Sequence, residues 1–327
     1  IKVYVYGENT LWNLFAARKE AMRFETRIVS ALHDDPSVEV VDDAAQACLL
    51  VPRIACLSVN KCALPQWLSL VMAQYRWPGA DARNHVVLDH SDAATTLLLD
   101  QNPEMMRIRS AHLARRYRPN FDVSIPLRPK MSNFAHVEHF QSAEARPIRV
   151  GFLGAPTAGG FRKHELAQLH DPVKHWHVIV RSPRCPPPCP KHEENYFAEY
   201  RDMLLASSFQ LVPRGNGLHS HRFMEALGAG SIPILLANDL VLPFPELIPW
   251  ESAVIIVKEE DWSHIPRLVE ELMKVEGKAV RMQCAGLQIY REFFLRPGGS
   301  IGLAFRLLHS RVQVALRRRR QQQQQQQ

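Results

Sequence analysis

Arg214, Ser220, Arg222 and Glu225 stand close together in the run Phe209 to Trp250, FQLVPRGNGLHSHRFMEALGAGSIPILLANDLVLPFPELIPW. Their types and spacing suit the binding of an anion. Gly215 and Gly217 let backbone amides approach a ligand closely, and Arg214 offers a forked cationic donor that matches phosphate oxygens. A helix starting after Ser220, with that serine as its cap, adds amides of partial positive charge. A nucleotide diphosphate would use all of these groups. Arg222 and Glu225, three residues apart, share one helix face, while Phe223 and Leu227 share another that can pack on a sheet. Glu225 is thereby expected to face a cleft. The plainer alternative is a solvated turn with a surface Arg222–Glu225 ion pair, and the loop matches no phosphate-loop consensus.

The surrounding pattern predicts the elements that hold this loop. Ser208 to Pro213 and Ser231 to Ala237 read as apolar strands flanking a helix that runs to about Leu227. Upstream, Ile148 to Gly154 reads as a strand running into the turn Ala155 to Gly160 and a helix from Phe161 to Leu169; Trp176 to Val180 is a further strand and Glu193 to Leu205 a helix. Near the N-terminus, Lys2 to Tyr6, Ala47 to Pro52 and His85 to Asp89 read as strands, with an amphipathic helix over Phe15 to Leu32. Strands alternating with helices predict an α/β fold with parallel sheets, in which ligands sit beyond the carboxyl ends of strands. One large doubly wound sheet fits the same pattern.

The run Leu211 to Pro233, L-V-P-R-G-x-x-L-x-S-x-R-F-x-E-A-L-x-A-G-x-I-P, followed by L-P-F-x-E-x-I-x-W over Leu242 to Trp250, closely resembles the exostosin family of inverting glycosyltransferases. A second block, Arg118 to Leu127 (RPNFDVSIPL), resembles a segment of that family's animal heparan sulfate polymerases. Arg83-Asn84-His85 with the apolar run after it, and the opening Lys2 to Tyr6, are similar to the family as well. The resemblance covers most of residues 1 to about 275. It implies the GT-B arrangement, two Rossmann-like lobes facing a cleft. Residues 1–147 would form the acceptor-side lobe plus a linker over Pro126 to Pro147, and residues 148–300 the nucleotide-sugar lobe. Residues 301–327 would be a C-terminal helix and a disordered Arg/Gln tail.

Transfer from a UDP-sugar must stabilise a departing diphosphate and deprotonate an acceptor hydroxyl. The sequence holds no Asp-x-Asp pair, so no metal is expected, and cations are expected to hold the diphosphate instead. Arg162, just inside the helix after the turn at Gly154 to Gly160, matches a family position where an arginine commonly follows that turn. It would meet the diphosphate with Arg214, assisted by Ser220. Glu225 matches the family's helix glutamate, whose implied role is to accept hydrogen bonds from the ribose hydroxyls. Asp122 and Asp89, with His90 after them, are the candidate bases; His85 is a weaker one. His219 and His221 flank the phosphate loop at positions where the animal enzymes do not usually carry histidine, and could donate to the anion when protonated.

The 327 residues are 46% hydrophobic with a formal net charge of +7, an ordinary globular composition long enough for two lobes. Arg317 to Arg320, which precede seven uncharged glutamines, account for much of that charge, so the remainder is only mildly basic, and no aromatic-rich basic face points to nucleic acid. Among six cysteines, Cys185 and Cys189 form the one close pair, with His192 nearby. A loop disulfide or free thiols fit better than zinc, which would lack a fourth ligand. No apolar run approaches the ~20 residues of a membrane span. The resemblance implies a Golgi membrane protein with its catalytic part in the lumen and its anchor before residue 1. It also implies a glycan or proteoglycan acceptor, glucuronic acid as the first donor sugar to consider, and association with a second copy or another exostosin-like chain. Galactose, xylose or arabinose transfer to wall polysaccharide and a non-catalytic subunit are the alternatives.

Overall fold

A computed structural model describes residues 1–6, 32–52, 84–89, 104–131, 141–156, 161–182, 192–215, 217–295 and 299–325. The helix expected over Phe15 to Leu32, His90, and the Cys185/Cys189 loop lie outside these residues, Leu32 apart. Of the cysteines described, Cys48 and Cys284 are free and exposed.

The chain divides into two compact units: Ile1–Pro126 with Val241–Phe244 and Arg296–Gln327, and Leu127–Leu240 with Pro245–Leu295. In the first unit the strands are β1 (Lys2–Tyr6), β2 (Glu39–Val40), β3 (Leu49–Pro52), β4 (Val86–Asp89), β5 (Met106–Arg109) and β6 (Val123–Ser124). They form two parallel three-stranded ladders, β2-β1-β3 and β4-β5-β6, joined by a parallel bridge from Leu50 to His85. β4 is buried along its whole length, as expected of a parallel strand covered on both faces.

The second unit carries β7 (Ile148–Gly154), β8 (Trp176–Val180), β9 (Ser207–Pro213), β10 (Ile232–Leu236) and β11 (Ile255–Val257), in the parallel order β11-β10-β9-β7-β8. Its helices are α1 (Phe161–His164), α2 (His192–Ala206), α3 (Arg222–Gly228), α4 (Ile265–Met273) and α5 (Lys278–Ile289), and α6 (Gly299–Gln325) completes the chain in the first unit. Alternate residues of the strands, Val150 and Phe152, Phe209 and Leu211, and Ile232, Ile234 and Leu236, face one core. Ile265, Val269 and Leu272 of α4 supply a helical stripe against it. The strand order reverses between β7 and β9, and ligands of doubly wound sheets bind at such a switch point. Both loops that carry the predicted anion contacts leave from there.

Two boundaries differ from expectation. Residues 127–147 join the second unit, because Arg146 is buried and donates to the carbonyls of Gln141, Leu204, Ser207 and Ala229, while Ser208 Oγ donates to Ala143 O. The C-terminal helix joins the first unit: Ile301, Ala304, Phe305 and Leu308 are buried, and Arg306 pairs with Asp35 at 2.5 Å. α6 also runs through Arg317 to Arg320 to Gln325, where disorder was expected. Arginine and glutamine are good helix formers, and the packed first turns spare the rest of the helix its nucleation cost.

Candidate active site

The arginine at the start of the helix after each loop is turned inward. Arg162, the second residue of α1, is buried, and its Nη2 donates to Arg214 O (2.5 Å) and more weakly to Pro213 O (3.5 Å), so it braces the exit of β9. Arg222 opens α3 and is buried equally deeply. Its Nη2 donates to Leu153 O at 2.8 Å, and its guanidinium lies 4.4 Å from the Phe152 ring centroid and 4.8 Å from that of Tyr200. Arg222 is therefore held between two aromatic faces, and Arg162 lies 5.7 Å from the Phe152 ring centroid. Neither makes an ion pair among the described residues. Nε of Arg162, and both Nε and Nη1 of Arg222, are buried without a hydrogen-bond partner among those residues. Burial, reinforced by the charge of Arg222, brings the Arg162 guanidinium down to about 10. Buried, unpaired donors on adjacent cations are costly, and an anion seated between them removes that cost.

Gly154 makes this arrangement fit. A Cβ there would lie 2.9 Å from Nη2 of Arg222 and 2.7 Å from the Phe152 ring.

Glu225 departs from the expected cleft-facing acceptor. It is buried, its Oε1 accepts from the backbone N–H of Lys130 (2.9 Å) and Met131 (3.2 Å), and its Oε2 accepts from the Tyr200 hydroxyl at 2.5 Å. Burial raises the Tyr200 phenol well above its ordinary range, which keeps it a neutral donor. The segment 128–131 therefore lies along the start of α3, where the carbonyl of Arg128 also meets His221 Nδ1. The surface ion pair between Arg222 and Glu225 is excluded by the burial of both.

Arg214 is half-exposed, and its Nε donates to Glu259 at 2.7 Å. Ser220 does not cap α3 with its side chain. His221 occupies the cap position, and Ser220 contributes its carbonyl to Phe223 N–H while its own N–H is held by His219 Nδ1. α3 ends in a Schellman turn: Ser231 N–H donates to Ala226 O, Gly230 N–H to Leu227 O, and Gly230 takes a φ of +68°.

The carboxylates expected as bases lie in the first unit and are engaged internally. Asp89, fully buried, accepts from Arg109 Nε at 2.8 Å across the β4–β5 register that pairs the two residues. Asp122 is also fully buried and accepts from Arg118 Nε (2.9 Å), Arg118 Nη2 (2.6 Å), Arg118 N–H (3.2 Å) and Arg107 N–H (3.1 Å). Four donors fill the acceptor capacity of a carboxylate. His85 is buried beside β4, and burial lowers its pKa.

Sequence reasoning thus gathers Arg162, Arg214, Ser220, Arg222 and Glu225 at one end of one sheet. It misses Phe152, Tyr200 and Tyr196, whose phenol lies near both Arg162 and Arg222. The two tyrosines are four apart on α2, and that spacing on one helix face was the available signal. Among the described residues no group of three or more His, Cys, Asp or Glu is gathered as a metal site, and no helix is long and apolar enough to cross a membrane.

The parallel sheets and their helices make this an α/β protein, and paired buried cations at the switch point of one sheet are an arrangement that suits an anion. The exostosin GT47 domain matches residues 1–272, so the chain belongs to the exostosin family of glycosyltransferases. It is similar to exostosin-1 of Bos taurus (28% identical, 86% of this chain, 39% of the relative) and to exostosin-1b of Danio rerio (29%, 74% and 35%). Drosophila melanogaster exostosin-1 is 28% identical over 86% of this chain and 39% of its own length. The chain spans under half the length of these relatives.

Proposed function

We propose that the chain is an inverting, metal-independent glycosyltransferase that uses a UDP-sugar, with glucuronic acid as the donor sugar and a growing glycan as the acceptor. The observation that carries this is the pair of buried guanidiniums of Arg162 and Arg222 at the switch point, with no carboxylate in ion-pair range and with N–H groups left over among the described residues. As the bond between the anomeric carbon and the diphosphate breaks, negative charge builds on the leaving oxygens, where fixed cations in a dry site stabilise it most. Arg214 adds a third cation at the rim. The sugar's new bond forms to an acceptor hydroxyl whose proton passes to a base. With Asp89 and Asp122 committed to arginines, we assign that role to His90, which follows β4 in sequence. Glu225 would accept the ribose hydroxyls in exchange for the N–H groups of Lys130 and Met131. The glucuronic acid assignment rests on the likeness of Arg118 to Leu127 to the polymerase branch, and residence in the Golgi lumen rests on the family.

Calorimetric titration with UDP tests the donor half. Binding that survives EDTA and weakens in Glu225→Ala is expected. Binding abolished by EDTA would overturn the metal-free mechanism, and unchanged affinity in the variant would overturn the ribose contact. The internal pairing of Asp89 and Asp122 favours a second reading, a nucleotide-binding subunit without turnover that stabilises a partner transferase. UDP binding with no release of UDP from UDP-glucuronic acid, in the presence of glycan acceptors and in the wild type as in His90→Ala, would select it.

A further inference from the structure

His219 is another polar group of this loop left without a partner. It is 1% exposed, on the return of the loop where Gly215 N–H donates to its carbonyl at 3.0 Å, and Gly215 follows Arg214, whose carbonyl holds Arg162. Its Nδ1 accepts the Ser220 N–H at 2.8 Å. Nδ1 also lies 3.1 Å from the Ser220 carbonyl; with Nδ1 accepting the shorter contact, the Ser220 N–H, the proton sits on Nε2. Nε2 is buried and has no partner among the described residues, while the ring packs against Phe223 with centroids 5.7 Å apart. Burial and the neighbouring His221 lower its pKa to about 4, so the ring is neutral near pH 7, unlike the protonated donor expected from the sequence. The partnerless donors of Arg162, Arg222 and His219 lie in the segments that follow β7 and β9. Leaving one more of them orphaned inside a folded chain is a penalty that a ligand oxygen would relieve.

We propose that His219 is a ligand-contacting residue whose neutral Nε2–H donates to a diphosphate oxygen of the bound nucleotide, beside the charges of Arg162 and Arg222. This rests on the UDP-binding function proposed above. A neutral donor there strengthens selection for a phosphate oxygen without adding a third buried charge to two that already repel.

The test uses the full chain with UDP and uridine. In calorimetry His219→Ala weakens UDP by about tenfold, the worth of one hydrogen bond to a charged oxygen, and leaves uridine unchanged. His219→Gln, which keeps an N–H at the end of its side chain, recovers part of that loss. In long-range proton–nitrogen spectra, with the His219 signals assigned by their loss in His219→Gln, the ring is the Nε2–H tautomer. Its proton resonance moves downfield with UDP and not with uridine. A resonance unmoved by saturating UDP, or UDP affinity in His219→Ala equal to wild type, would overturn the inference while leaving the UDP site standing. Absence of UDP binding by the wild type would instead remove the parent function and this contact with it. If His219→Ala does not fold, the spectra of the wild-type chain decide alone.

Discussion

Buried arginines occur in both units and are treated in opposite ways. In the first, buried Arg109 and half-buried Arg118 are neutralised by Asp89 and Asp122, so their charge is spent on holding β4, β5 and the turn into β6 together. In the second, Arg162 and Arg222 have aromatic faces and backbone carbonyls around them but no carboxylate in ion-pair range among the described residues. Arg146 is the control within that same unit. It too lacks a carboxylate, yet its Nε, Nη1 and Nη2 all donate to carbonyls or to Ser231, and burial lowers it to about 10 as it does Arg162. Burial of a cation is therefore no sign of a site. Several donors left over on two adjacent buried cations at a strand switch point are the better sign.

Variants that separate charge balance from ligand binding would break or sharpen this contrast. Asp89→Ala leaves Arg109 uncompensated in the interior, and urea unfolding should show a loss of about 3–5 kcal/mol. A loss under about 1 kcal/mol would show that the pair is not structural. Arg222→Met removes a partnerless charge while filling similar volume, so its unfolding free energy should stay within about 1 kcal/mol of wild type or rise. Its UDP affinity should fall about 100-fold, with two charge-assisted bonds gone. A variant as unstable as Asp89→Ala would make Arg222 structural too. Arg162→Lys keeps charge without the fork and should weaken UDP by about tenfold in the same titration.

The smallest expected effect belongs to His112, buried in the first unit with Nε2 beside Val123 O and lowered by burial to about 4 from 6.5. Above pH 6.5 neither state takes the proton. Between 6.5 and 4 only the unfolded chain does, so stability falls as pH drops through this window, by about 1.4 kcal/mol at pH 5.5. Comparing the unfolding free energy of wild type and His112→Phe at pH 7.5 and 5.5 isolates this, and an equal drop in both would remove His112 as its source.

What the sequence made legible follows the same line between local and distant causes. β7, β9 and β10 were readable because strands covered on both faces are short apolar runs, β8 because its Trp-His-Val-Ile-Val run is rich in β-formers, and the anion loop because glycine, arginine and a helix start are contiguous. β5, Met-Arg-Ile-Arg, was not, because two buried arginines made it look half-exposed; Asp89, which pairs with Arg109, and Asp122, which takes the backbone N–H of Arg107, lie elsewhere in the chain. For the same reason those carboxylates looked open to an acceptor. The Ser220 cap failed by a single position, since His219 takes the serine's N–H before the helix begins. No local pattern could reveal that Arg222 rests on Phe152 and Tyr200, or that Glu225 is tied to the backbone at Lys130 and Met131.

Gly154 has a bearing on how inherited or engineered variants of this chain should be weighed. Ranking positions by ligand contact would pass over it, and by hydrophobic burial would call alanine harmless. Yet one added methyl would press on the guanidinium of Arg222 and the ring beneath it, displacing a cation without changing any charge in the sequence. Substitution at a residue with no chemistry of its own would then read, in any assay of nucleotide binding, as the loss of an arginine.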